Sequence, residues 1–323
     1  PPPPPPLFFF KQKTASEMLR SLVGSGDVYK RQIVVSSLMM AAMYTTYSIV
    51  NTTYSQVTNK AQISRSSRDL IELLIRDVRM SGFKYYLGKN TRGYPEQSYL
   101  QFKGGAISVK DSHDPIVIIP NSLGHSIGDT IPNPTPKHDV TDLCCDKIHV
   151  VFDDFDHVDQ LQPYKRYKVT YYAKPVGAVG QDPRYAIYKS KISWQQKRGN
   201  VTEDFPPTGT WVADCSECYH DQLVRDYVED MEFIALDREG RRLTPLPSPT
   251  SPEGRNNLYK IRSIDIKIAF RSENEFYRFD ARPGKERPLS GFARTIKSYS
   301  DRYLRDTVAI SVYTRNILDD GLF

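Results

Sequence analysis

Residues Ile33–Val50 read IVVSSLMMAAMYTTYSIV, eighteen residues without a charge. That length is near the lower limit for a helix that crosses a bilayer, which needs roughly 17–25 apolar residues. Ile33, Val34, Val35, Leu38, Met39, Met40, Met43, Ile49 and Val50 supply the apolar surface of a candidate membrane anchor. Ser36, Ser37, Thr45 and Thr46 make it only mildly apolar, so a buried core helix is the alternative.

No Pro or Gly interrupts the chain from Ile33 to Ser81, and Gly82 supplies a C-terminal stop. From Asn51 onward the pattern becomes amphipathic. Val57, Ala61, Ser64, Arg68, Ile71, Ile75 and Val78 step by four and three and share one helical face, which Leu70 and Leu74 widen. Glu72 and Arg76 form a favourable i, i+4 pair. One helix of about fifty residues follows, roughly 75 Å long at the α-helical rise. Its apolar first half asks for a membrane or a bundle of other chains. Its later half, through Ile71, Leu74, Ile75 and Val78, is expected to bind the chain's own sheet, and the earlier positions Val57 and Ala61 to meet partners.

Beyond Gly82 the signals are of β type. Candidate strands are Tyr99–Lys103, Pro115–Ile119, Lys147–Phe152, Arg166–Ala173, Tyr185–Ser190, Met231–Leu236, Arg262–Arg271 and Thr307–Arg315. Ile264, Ile266, Ile268 and Phe270 alternate with Asp265, Lys267 and Ala269, and Val308, Ile310 and Val312 repeat the pattern. Such alternation predicts an antiparallel sheet with one wet face. A helix followed by a run of strands is an α+β layout: a long N-terminal helix packed on a largely antiparallel β-sheet head.

Residues 1–32 stand apart. PPPPPPLFFF fits runs of C and T read as codons, and KQKTASEMLRSLVGSGDVYKRQ resembles translated sequencing-adapter sequence. The segment is therefore expected to be non-native and is set aside from fold reasoning. The expected organisation is 1–32 non-native, 33–82 anchoring and amphipathic helix, and 83–323 a β-rich head. Of the formal net charge of +6, residues 1–32 carry +3, and the +3 of the remaining chain is spread among interspersed acids and bases without a basic stripe, which argues against a nucleic-acid partner.

The stretch VVSSLMMAAMYTTYSIVNTTYSQV, followed by SRDLIELLIRDVRMSGF, resembles the helix of PilW-type minor pilins and the related J-type pseudopilins of type II secretion. In those families the helix closes on an R-D-x-R-M-x-G-aromatic signature, matched here by Arg76, Asp77, Arg79, Met80, Gly82 and Phe83. Looser likeness continues through HDPIVII, DKIHVVF, VTYYAK, VEDMEFIALDREG, IRSIDIKIAFRS and DTVAISVYTRNI. The Gly before Phe-Thr-Leu-x-Glu that marks prepilin processing is absent, its place held by the adapter-like residues. The resemblance implies a single-pass bacterial inner-membrane protein with a periplasmic head. Its partners would be other major and minor pilins or pseudopilins, with no nucleic acid, cofactor or small-molecule substrate. The implied role is initiation or capping of a fibre, with no catalysis.

Cys144-Cys145 and Cys215-Ser216-Glu217-Cys218 admit disulfides, a four-thiolate zinc site or free thiols. Adjacent cysteines are poor paired ligands for one metal, and an oxidising periplasm favours disulfides. The expectation is at least one bridge between the two loops, closing about seventy residues. Vicinal and CxxC pairings stay open. Asp153, Asp154, Asp156 and Asp159 read as a solvated acidic turn, since the glycine that bends a calcium loop is missing. His113-Asp114 and His220-Asp221 have no nucleophile alongside, and the hydrolase, zinc-protease and nucleotide-loop motifs are absent. Two other readings remain beside the pilin: an adhesin-like binding module with a Tyr-rich sheet, and a nucleic-acid-binding protein built on a zinc site.

Overall fold

The computed structural model describes residues 15–83, 86–89, 95–97, 113–122, 144–155, 164–176, 184–196, 209–249, 252–275, 287–289, 291–292, 297–299 and 301–317. The candidate strand Tyr99–Lys103 lies outside them. The chain divides into two compact units, Pro1–Thr58 and Asn59–Phe323. Helix α1, Ala15–Met80, contributes to both. It begins upstream of Ile33, inside the stretch read as non-native, and ends at the expected glycine.

The second unit is built on one antiparallel sheet. Its strands are β3 (Ile116–Ile119), β4 (Lys147–Phe155), β5 (Tyr164–Val176), β6 (Arg184–Gln196), β7 (Gly209–Val212), β8 (Tyr219–Leu236), β9 (Ser263–Glu275) and β12 (Tyr303–Tyr313). Their order is β12-β9-β8-β6-β5-β4-β3, with β7 also paired to β6. Two short hairpins, β1 (Tyr86–Lys89) with β2 (Pro95–Gln97) and β10 (Arg287–Leu289) with β11 (Lys297–Tyr299), stand off the main sheet. A short helix α2 (Pro252–Leu258) precedes β9. The architecture is α+β, as the order of periodicities predicts.

Register decides the core. Ile264, Ile266 and Ile268 of β9 lie opposite Ala235, Phe233 and Met231 of β8 on one side, and opposite Val312, Ile310 and Val308 of β12 on the other. On β4 and β5, Ile148 faces Tyr171 and Val150 faces Val169. These side chains join one hydrophobic core with Ile63, Leu70, Leu74 and Val78 of α1. Each large aliphatic side chain buried this way stabilises by about 1.5–3 kcal/mol. The helix stays on the sheet through that stripe.

The opposite face differs from the wet surface expected. On β12 the alternation reaches water: Thr307, Ala309, Ser311 and Tyr313 are exposed. Toward the sheet's centre, His149, Thr170, Tyr172 and Ser190 are polar yet buried. They can be covered because they satisfy one another. His149 Nδ1 lies 2.7 Å from Thr170 Oγ1, and Tyr172 Oη lies 3.0 Å from Ser190 Oγ. Ala269 of β9 packs with Leu289 of β10. Phe292 donates its backbone N–H to Glu232 Oε2 at 2.6 Å.

Candidate functional site

The helix-end signature is a joint between α1 and the sheet, and each of its residues has a local reason. Asp77 falls on the buried stripe Ile63, Ser67, Leu70, Leu74, Asp77, Ser81, spaced by fours and threes. An ionised carboxylate cannot sit there without partners. It receives the Lys189 ammonium at 2.7 Å and the Tyr171 hydroxyl at 2.6 Å, both from inner-face positions of β6 and β5. Lys189 is itself buried. Burial pulls the Lys189 ammonium below its ordinary range, while the Asp77 charge and hydrogen bond push it back up. Burial, then the Asp77 charge, holds the Tyr171 hydroxyl well above its ordinary value. Arg76 reaches Asp77 only through Nε, at 3.3 Å, and its side chain is 68% exposed.

The turn after α1 is equally specified. Gly82 adopts a positive φ of 75°, the left-handed conformation that closes helices. A Cβ there would lie 3.0 Å from the backbone oxygen of Asn316. Gly82 donates its N–H to Val151 O at 2.9 Å, and Asp153 donates its N–H to Phe83 O at 2.9 Å, so the chain leaving the helix pairs at once with β4. Asn316 Nδ2 donates to the Arg79 carbonyl at 3.0 Å, satisfying one of the orphan acceptors of the helix end. Met80 and Phe83 pack, partly buried, against the core, and Arg79 is exposed.

The candidate packing face divides along its length. Val57 and Ala61 are exposed, Ile71, Leu74 and Val78 are buried, and Ile75 is partly buried against the core. In the first unit, Ile33, Val34, Val35, Leu38, Met39, Met40, Met43, Ile49 and Val50 are all exposed. The helix from Asp27 to Met80 is long and apolar enough to cross a membrane, and none of its apolar window is buried.

The cysteines correct the bridge expected between loops. Cys144 pairs with Cys145, and Cys215 pairs with Cys218 across a Cα separation of 4.9 Å. Cys144 and Cys145 are buried in the core shared with α1, while Cys215 and Cys218 close a partly exposed turn between β7 and β8. Each pair finds its partner in its own loop, so none of the four is left for a cross-link or a shared thiolate site.

Other polar residues singled out in the sequence sit in structural settings. Asp153 is buried in an ion pair with Arg166, Nε to Oδ1 2.7 Å, rather than in a solvated turn. Asp154 remains on β4, and Asp156 and Asp159 lie outside the described residues. His113 stacks edge-on against Trp194 at 4.5 Å, and burial reinforced by Arg166 and Lys168 pushes its pKa down to about 3. His220 Nδ1 lies 3.1 Å from Ser190 Oγ, but that hydroxyl is buried and shared with Tyr172 and the Asp221 N–H. It offers no free nucleophile. Lys174 bonds Asp221 at 2.6 Å on the same side.

Lys189, Tyr171 and Asn316 complete the joint without having been singled out in the sequence. The available signal was Asp77 itself: an acid in phase with Leu70 and Leu74 demands a buried cation.

No protein-family profile and no curated protein sequence matches the chain. Among solved structures, a type IV-like pilin from Thermus thermophilus aligns with 80% of this chain and 100% of its own, at 10% identity and a TM-score of 0.37.

Proposed function

We propose that the chain is a structural, non-enzymatic subunit of pilin type, a PilW-like minor pilin anchored in the bacterial inner membrane with a periplasmic head. The observation that carries this reading is the division of α1. Its residues 33–50 are apolar and uncovered, while its last turns are buried on the sheet of the same chain. Nine large apolar side chains left in water are unfavourable by about 15–25 kcal/mol. A bilayer removes that cost while the subunit is stored, and a bundle of pilin or pseudopilin helices removes it in a fibre. The exposed positions Val57 and Ala61 then meet neighbouring subunits. The joint at Asp77 and Gly82 transmits the pull from helix to head. The subunit acts at low copy, initiating or capping a pilus or secretion pseudopilus.

Fractionation tests the anchor. The full chain should sediment with the inner membrane and need detergent for release, whereas a chain truncated to begin at Thr52 should be soluble. Full-length protein that stays soluble without detergent rules the anchor out. The assembly role is read from Ala61→Glu, which places an unpaired charge in a packed seam. Fibre assembly or secretion should fail although the melt of the truncated chain is unchanged, and normal assembly refutes the lateral contact.

A further inference from the structure

A cleft of about 460 Å³ opens beside the end of α1, within the second unit. Its apolar and aromatic lining comes from Met80, Phe152, Val169 and Tyr219. Six charged side chains also line it, three of each sign. Four of them are spent on one another: Lys189 pairs with Asp77 at 2.7 Å, and Lys191 with Glu217 at 2.8 Å.

Two charges remain. The Arg76 guanidinium, mostly exposed, touches Asp77 only through Nε, so its terminal nitrogens hold four N–H donors toward solvent. Asp154 accepts one bond, from the adjacent Phe155 N–H at 2.8 Å, and has no cation at ion-pair distance among the described residues. The cleft therefore presents a guanidinium whose terminal nitrogens are unengaged and a carboxylate with no ion-pair partner among the described residues, beside apolar lining.

We propose that this cleft binds a small zwitterion of peptide type, a short chain carrying a free ammonium, a free carboxylate and an apolar side chain. A simple anion would be drawn to Arg76 but repelled by Asp154, and a simple cation the reverse. A molecule bearing both charges satisfies both residues. The carboxylate takes the bidentate fork of Arg76, the ammonium goes to Asp154, and the apolar side chain covers Met80, Phe152 and Val169. The volume falls in the range of small-ligand sites, roughly 300–1,000 Å³. The proposal is independent of the pilin reading, and the ligand is held, not turned over.

The test uses the full chain purified in detergent and the tripeptide Ala-Leu-Ala with free termini, followed by titration calorimetry. The free tripeptide should bind, and acetylating its amine or amidating its carboxylate should each weaken binding about tenfold, the size of one lost charged contact. Arg76→Gln should erase the preference for a free carboxylate and leave that for a free ammonium. Asp154→Asn should do the converse. Both side chains reach solvent, and an unchanged thermal melt of each variant shows that the fold is kept. No binding at millimolar tripeptide overturns the proposal. So does equal binding of the doubly capped peptide, or discrimination that survives both substitutions.

Discussion

Removing the carboxylate of Asp77 probes the joint between helix and sheet directly. In Asp77→Ala, Lys189 loses its 2.7 Å partner and Tyr171 its 2.6 Å acceptor, both inside the core. Lys189 keeps only 5% of its side-chain surface in water, so its ammonium stays uncompensated. Breaking one half of a buried pair costs about 3–5 kcal/mol. For a unit of this size that corresponds to a drop of roughly 6–20 °C in melting temperature. The companion substitution, Asp77→Leu with Lys189→Met, removes both charges together and should recover most of the loss, because an apolar replacement of a buried pair is often neutral. The assay is urea unfolding of the detergent-solubilised chain, followed by fluorescence of its two tryptophans. Trp194 and Trp211 lie 5.3 Å apart on the sheet and report its integrity. If Asp77→Ala costs under about 1 kcal/mol, or the double variant is no better than the single ones, the pair is not what fixes the helix.

Further expectations concern the turn, the acid limit and the bridges. Gly82→Ala should destabilise by about 2 kcal/mol, from a left-handed backbone and a Cβ pressed on Asn316, seen as a lower urea midpoint with unchanged slope. His113, with its folded pKa near 3 against about 6.5 unfolded, takes up its proton only on unfolding between those values. Its neutral burial is therefore fully tolerated above pH 6.5, and stability falls as pH drops toward 3. The native chain should lose about 2 kcal/mol more than His113→Phe between pH 7 and pH 5, and equal losses would refute the assignment. Non-reducing peptide mapping should recover Cys144 with Cys145 and Cys215 with Cys218, and a peptide joining the two loops would show the local pairing to be wrong.

What the sequence could reveal followed from how well each element kept a period. Strand β9 was legible because Ile264, Ile266, Ile268 and Phe270 leave no second reading, and β12 because Val308, Ile310 and Val312 repeat it. The phase of α1 was harder to see. Steps of four and three put Val57, Ala61, Ser64 and Arg68 on the face of Ile71, Ile75 and Val78, whereas the buried stripe reaches Leu70 and Leu74 through Ile63 and Ser67 and continues through Asp77. A serine and an aspartate hold core positions, so hydropathy alone turns the helix by part of a step. The same blindness ended β6 at Ser190, short of its end at Gln196, because Lys191 looks solvent-facing although Ile192, Ser193 and Trp194 beyond it are buried. It also hid the first half of β8, where YHDQLVRD keeps no alternation of apolar with polar residues. Disulfide partners could not be read from spacing, because four cysteines admit three pairings and only the loops' geometry chooses.

The Asn316 side chain that caps the Arg79 carbonyl bridges 237 positions of sequence. The Asp77–Tyr171 bond spans 94, and Tyr259 reaches Asp114 across 145. Closures this distant must bear their loop entropy before any contact rewards it, which slows the seating of the helix end on the sheet. During synthesis the helix emerges before every strand that seats it. Until β12 has been made and Asn316 has arrived, the end of α1 has no cap and Gly82 no wall. For that interval the nascent chain is a hydrophobic helix followed by an unfinished sheet, and its safety from aggregation depends on where the apolar half is kept while the rest is still being translated.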